Sequence, residues 1–168
     1  MISTPSITAS CRCGSVQFEA AGNAIMSVVC YCDDCQEGAR KIAMLPDALP
    51  VQDSDGGTAY ILYRKDRFSC MKGDQLLKDI RIRENSPTRR VVAGCCNSAM
   101  FLDFKKGHWL SVYRARFPDY TSPVEMRIQT KFKPRDSDIP SDVPAYPGFP
   151  LKFMAKLMSA RVAMLLHW

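Results

Sequence analysis

Three thiols sit within six residues: Cys30-Tyr31-Cys32-Asp33-Asp34-Cys35 is a CxCxxC cluster. Thiols this close cannot comfortably bridge one another, yet they chelate a tetrahedral metal well. Three protein ligands and one open position is the pattern of a catalytic zinc, whereas a fourth ligand would close the site and make it structural. Cys11-Arg12-Cys13-Gly14 forms a second unit, CxCG, and Cys95-Cys96 an adjacent pair. The remaining cysteine, Cys70, stands alone between Ser69 and Met71 and is expected to be a non-ligand, a small core hydrophobe. His108 and His167 are the only histidines, which nearly excludes imidazole-rich metal sites and His-dependent triads. Each reads as a surface or capping residue.

The chain bounds these readings. Its 168 residues make one domain of ordinary size, and 46% hydrophobic with 24% charged residues is a globular composition. No run of about 18 apolar residues is present, so no transmembrane helix is expected. Met1 to Ser10 lacks the basic and apolar regions of a signal peptide. A cytoplasmic protein is expected, and eight cysteines there read as metal-binding or catalytic rather than as disulfides. The formal charge of +6 counts every cysteine as neutral. Seven thiolates around two zinc ions would lower it by three, to about +3. That balance needs no nucleic acid, and no basic run interleaved with aromatics is present. It suits a small anionic substrate.

The elements that must position the cysteines are mostly strands. Ser15 to Ala20 alternates apolar and polar, and Met26 to Val29 leads as a short strand into Cys30. Gln36 to Lys41 reads as one helical turn, and Asp47 to Thr58 as loop. Further strands are expected at Ala59–Tyr63, Leu76–Arg83, Arg90–Val92, Ala99–Leu102, Trp109–Phe117 and Val124–Ile128, the last alternating cleanly. Residues 1–133 therefore read as a zinc-binding β domain. Residues 134–168 read as a proline-rich extended segment and a C-terminal helix packed on the same domain. The helix, Leu151 to Leu166, carries an apolar stripe of Leu151, Met154, Leu157, Met158, Val162 and Leu165, expected to face the sheet.

The three cysteine units together resemble the glutathione-dependent formaldehyde-activating enzyme family, also called the centromere-protein-V-like family. Its signature is CxCG before a strand, then C-H-C-x-x-C-R, then R-x-F-C-x-x-C-G-[ST]. Cys11 to Phe18 matches the first element and Cys30 to Cys35 the second. Arg90-Val-Val-Ala93-Gly-Cys95-Cys96-Asn97-Ser98 falls where the third belongs. The resemblance covers roughly residues 9 to 117. It implies a mainly β, Mss4-like β-tent of antiparallel sheets around zinc. It also implies a structural zinc held by Cys11, Cys13, Cys95 and Cys96 and a second zinc held by Cys30, Cys32 and Cys35. The implied activity is that of a carbon–sulfur lyase joining the thiol of glutathione to formaldehyde.

On this reading Cys30, Cys32 and Cys35 carry the catalysis, while Arg40 and Lys41 pair with a carboxylate of the thiol substrate. Tyr31 stands in place of the family His, Gln36 in place of Arg, and Val92 in place of Phe. Ala93 occupies the position of the first late Cys, with Cys95 as its substitute. Neighbouring strand residues point to opposite faces, so Cys95 and Cys96 can share a metal only if the chain turns there, as Gly94 permits. A non-enzymatic zinc-binding interaction module is the competing function. Oligomeric state is left open by the sequence.

Overall fold

The computed structural model describes residues 5–118 and 123–167. The first four residues of the amino terminus read above, and Trp168 of the C-terminal segment, lie outside the described residues. Ten strands are present among them. In chain order they are β1 Ser6–Ser10, β2 Gln17–Ala21, β3 Met26–Cys30, β4 Thr58–Arg64, β5 Phe68–Lys72, β6 Leu77–Ile80, β7 Thr88–Ala93, β8 Ser98–Phe104, β9 Trp109–Tyr113 and β10 Met126–Ile128. Two helices, α1 Asp33–Ala43 and α2 Leu151–Leu165, complete the fold.

The strands form two sheets, ordered β1-β2-β5 and β10-β3-β4-β9-β8-β7-β6. All pairings are antiparallel except β10 with β3, which is parallel. The period of two explains how the layers stack. In β4, Ile61 and Tyr63 face one way and join Phe18, Phe68 and Phe101 in a core between the two sheets. Phe18 stacks on Phe68 at 4.8 Å between ring centres, and Phe101 meets Phe18 edge-on at 5.3 Å. Tyr60 and Leu62 face the other way and build a second core with Met26, Val28 and Tyr113, roofed by α1 and α2. The result is mainly β, as expected.

Several expectations are corrected. β1 and β5 were not expected: β1 offers few apolar residues, and in β5 only Phe68 is buried. The single turn expected at Gln36–Lys41 is an 11-residue helix, α1. Leu76–Arg83 is a shorter strand, and Trp109–Phe117 ends in a 3₁₀ turn after Tyr113. The alternation of Val124–Ile128 does not send Arg127 to solvent: all of Met126–Ile128 is buried. Residues 144–148 run beside β10, with Tyr146 N–H donating to the Arg127 carbonyl at 2.8 Å and Arg127 N–H to the Pro144 carbonyl at 2.9 Å. That segment covers the edge that solvent would otherwise reach.

The apolar stripe of α2 also differs. Leu157 of that stripe joins the second core as expected, together with Phe153, one turn before it and outside the stripe. Leu151, Met158, Val162 and Leu165 are exposed. At 100° per residue the exposed stripe is rotated about 120° from the buried pair. No described helix is long and apolar enough to cross a membrane.

Candidate active site and metal centres

None of the eight cysteines forms a disulfide, and seven of them gather into two clusters. The first joins Cys11, Cys13, Cys95 and Cys96. A tight turn, closed by Gly14 N–H on the Cys11 carbonyl at 3.0 Å, presents Cys11 and Cys13 together. Gly14 takes φ +74° there. On the other side, Gly94 to Asn97 form the turn between β7 and β8, and Asn97 adopts a left-handed φ of 51°. That turn lets two adjacent residues reach one point, as the sequence required, while Ala93 lies fully buried in β7. Ser98 ties the halves together: its Oγ accepts from Arg12 N–H at 3.1 Å and lies 3.2 Å from Cys96 Sγ.

The sulfur geometry fits zinc. Cys11 and Cys13 are 3.6 Å apart, Cys11 and Cys95 3.8 Å, Cys13 and Cys95 3.4 Å, Cys95 and Cys96 3.9 Å. Zinc–sulfur bonds of about 2.3 Å define a tetrahedron with edges of about 3.8 Å. Four thiols so placed could complete the coordination of one ion. Hydrogen bonds from Ser15, then contacts with Cys95 and Cys11, bring Cys13 down to about 6, while burial and its sulfur neighbours push Cys95 up to about 12. Cys70 belongs to neither cluster. It is exposed on β5, with its thiol toward the Lys72 carbonyl at 3.5 Å, and is not the core hydrophobe expected.

Cys30, Cys32 and Cys35 form the second cluster, any two sulfurs within 4.8 Å. No fourth His, Cys, Asp or Glu joins it among the described residues. Each sulfur is placed by a different device. Cys30 ends β3, fixed between Thr58 of β4 and Ile128 of β10. Cys32 is the N-cap of α1, its sulfur accepting from Cys35 N–H at 3.4 Å. Cys35 lies in the first turn, its sulfur accepting from the Tyr60 hydroxyl at 3.5 Å. Gln36 bridges the carbonyls of Tyr31 at 2.9 Å and Phe132 at 2.6 Å and so clamps the loop. The three sulfurs acting on one another put the negative charge on Cys32, lowered to about 3 by contacts with Cys30 and Cys35. Cys30 is pushed well up by the same contacts and by burial.

Arg90 completes the electrostatics. It is 1% exposed in β7, and its Nη2 donates to the Asp34 carbonyl in the first turn of α1. Its Nε and Nη1 find no protein partner, which costs free energy unless a nearby anion compensates. After its contacts with Cys30 and Cys35, the Cys32 thiol is also lowered by the positive charge of Arg90. Asp33 and Asp34 lie in the first turn of α1, where carboxylates suit the helix dipole. Arg40, in the last turn, is exposed and pairs with Glu37 at 2.7 Å. Lys41 donates to the carbonyls of Arg81 at 3.1 Å and Ile82 at 2.8 Å.

Two features escaped the sequence reading. Tyr31 points into a buried polar network, donating to Asp55 at 2.6 Å and accepting from Arg127 at 2.8 Å. Arg127 also pairs with Asp142 at 3.1 Å. The signal was an arginine inside an otherwise apolar strand. The second feature is a half-open chamber of about 400 Å³ beside Cys30 and Cys35. Tyr60, Leu62 and Trp109 form its sheet wall, and Phe153 and Leu157 of α2 its roof. His108, read as a capping residue, contacts the Leu157 carbonyl through Nε2 at 2.8 Å and helps hold that roof.

Comparison with solved structures places this chain beside a structural-genomics crystal structure of a Rhodobacter sphaeroides protein. The match has a TM-score of 0.51 and 14% identity, and covers 83% of this chain and 99% of that one, a likeness of fold. No curated protein matches the chain. The model of the family described as glutathione-dependent formaldehyde-activating enzyme matches residues 6–130. That span contains both cysteine clusters and Arg90, and the chain belongs to this family.

Proposed function

We propose that this protein is a zinc-dependent carbon–sulfur lyase acting on adducts of a small thiol, such as glutathione, with an aldehyde. One observation carries the reading: four thiols gather at one cluster and only three at the other, which adjoins a chamber large enough for a ligand. Four fill a tetrahedron and three leave a position for substrate. Cys30, Cys32 and Cys35 would hold the metal, and the chemistry zinc supplies at such a site is Lewis acidity that favours the thiolate form of a bound thiol.

The chain's own groups do the rest. The buried guanidinium of Arg90 offsets the excess charge of three thiolates. The chamber limits water around the reacting atoms. In the reaction a substrate sulfur bonds to the carbonyl carbon, the carbonyl π pair moves to oxygen, and the thiol proton ends on that oxygen. The reverse regenerates thiol and aldehyde. Exposed Arg40 is available to a substrate carboxylate by exchange from Glu37, whereas Lys41 would have to leave two carbonyls. A cytoplasmic setting, where glutathione keeps thiols reduced, belongs to the same proposal.

The exposed apolar residues of α2 favour the alternative, a zinc-binding interaction module. Cys32→Ser separates the two. Serine is as good an N-cap, so α1 keeps its start while the thiolate is lost. The lyase reading expects wild-type protein to bind zinc at both clusters and to accelerate glutathione–formaldehyde adduct formation, followed by NMR. The variant should lose one zinc and the acceleration. Wild-type protein holding both zinc ions yet forming adduct no faster than buffer would sink the lyase.

A further inference from the structure

Nothing charged lines the chamber beside Cys30 and Cys35 among the described residues. Its walls are aliphatic and aromatic side chains, with the hydroxyls of Tyr60, Thr88 and Ser111 and the indole N–H of Trp109 as the polar groups from side chains other than cysteine. The Tyr60 hydroxyl is already committed to Cys35. Phe149 and Met154 line it too but are 54% and 46% exposed, which places them at its mouth. The carboxylates and ammonium of a glutathione backbone could not enter without shedding water for no partner. Formaldehyde, at the other extreme, would leave it nearly empty. A cavity of about 150 Å³ already holds benzene, so about 400 Å³ takes a phenyl group and its linker with space over.

We propose that this chamber binds an apolar, ring-sized substituent of the substrate, so that the protein acts on thiol–aldehyde adducts bearing such a group in preference to the formaldehyde adduct. The inference rests on the reading of the three-cysteine cluster as a thiol site. The substituent can arrive on either reactant, on the sulfur of an apolar thiol or on the carbonyl carbon of an apolar aldehyde. In both cases the group seats among Leu62, Trp109, Phe153 and Leu157 while the reacting atoms lie at Cys30 and Cys35. Any charged remainder of the substrate projects past Phe149 and Met154 into water. The chemistry is the balanced addition given above, and only the substituent differs.

Calorimetric titration of the zinc-loaded protein tests this with four probes: glutathione, 2-phenylethanethiol, its oxygen isostere 2-phenylethanol, and glutathione premixed with phenylacetaldehyde. The expected result is at least tenfold tighter binding of 2-phenylethanethiol, or of the phenylacetaldehyde mixture, than of glutathione. Which of the two wins identifies the reactant that carries the group. 2-Phenylethanol should bind weakly but measurably through the chamber alone. Ser111→Phe, which fills the chamber from β9, should abolish 2-phenylethanol binding and leave zinc content unchanged. Thr88→Phe, from β7, makes the same test if the first variant does not fold. Glutathione binding tighter than 2-phenylethanethiol, with none of 2-phenylethanol, would overturn the proposal and leave the thiol site standing. Equal binding of 2-phenylethanethiol and 2-phenylethanol would support the chamber and overturn the thiol site.

Discussion

Gly38 of α1 and Arg90 of β7 compete for one space: a Cβ on Gly38 would fall 1.9 Å from the Arg90 Nε. The missing methyl is what lets the guanidinium lie beneath the first turn of α1, next to Cys32. Alanine at a helix interior normally gains about 1 kcal/mol over glycine. Here the displaced group is a buried, hydrogen-bonded cation, and overpacking costs about 1–3 kcal/mol. Gly38→Ala is therefore expected to lower stability in urea unfolding, and a more stable variant would show that Arg90 is free to move aside.

The four-sulfur cluster should be indispensable to the fold. Structural zinc contributes apparent binding energies of about 10–16 kcal/mol, as much as the whole stability of a typical domain. Cys95→Ala is expected to lose one zinc per chain and the cooperative thermal transition with it. Cys70→Ala should match wild type in both zinc content and melting. A fall in zinc content for Cys70→Ala would contradict the exposed, unclustered placement of that residue.

Tyr31 stands where the resemblance in sequence implied a histidine, and its hydroxyl is engaged with Asp55 and Arg127. Burial and the bond to Asp55 push the phenol above its ordinary value of 10, so it stays protonated through neutral pH. Tyr31→Phe is expected to cost about 1–3 kcal/mol through the partners left short in the network. The shape of the pH–rate profile should not change. Loss of a limb from that profile would make Tyr31 a participant in proton transfer.

Asp103 and Arg89 sit directly opposite each other on β8 and β7, 3.0 Å apart, and Lys65 adds a second cation at 2.6 Å. This pairing guards the register that delivers the Gly94–Asn97 turn to its cluster. Burial raises the Asp103 carboxyl, but Lys65 and Arg89 outweigh it and hold the group below its ordinary range. A depressed carboxyl contributes stability above its unfolded value, near 3.8, and that contribution disappears as pH falls through the folded value. Asp103→Asn should cost about 0.5–1 kcal/mol at pH 7 and progressively less as pH falls below 3.8. A deficit that does not shrink as pH falls would assign the effect to packing.

The parts legible in the sequence were those set by short spacing. Cys30, Cys32 and Cys35 had to share a site because they share a turn, and Cys95 with Cys96 needed only Gly94 to bend the chain. The extent of α1 was also written there, with Asp33 and Asp34 at its start and Arg40 and Lys41 at its end, though the proximity of the cysteines hid it. What escaped was decided at long range. Arg127 reads as an outward residue until Asp55 and Asp142 arrive from elsewhere to neutralise it. Of the local stripe of α2, Leu157 is buried as expected, but it is joined by Phe153 from outside the stripe while Leu151, Met158, Val162 and Leu165 stay exposed, because the sheet offers an apolar hollow to that pair. No periodicity within one segment carries that information.

The bond from Arg127 to Tyr31 spans 96 residues of chain, and this has a consequence for biosynthesis. At about 5–20 residues per second, the loop bearing Cys30, Cys32 and Cys35 leaves the ribosome about 5–20 s before β10 is made. During that interval the three thiols stand in a nascent chain without the strand that will enclose them. They are then more open to metal delivery and to oxidation alike than in the folded protein, where Cys30 and Cys35 are buried.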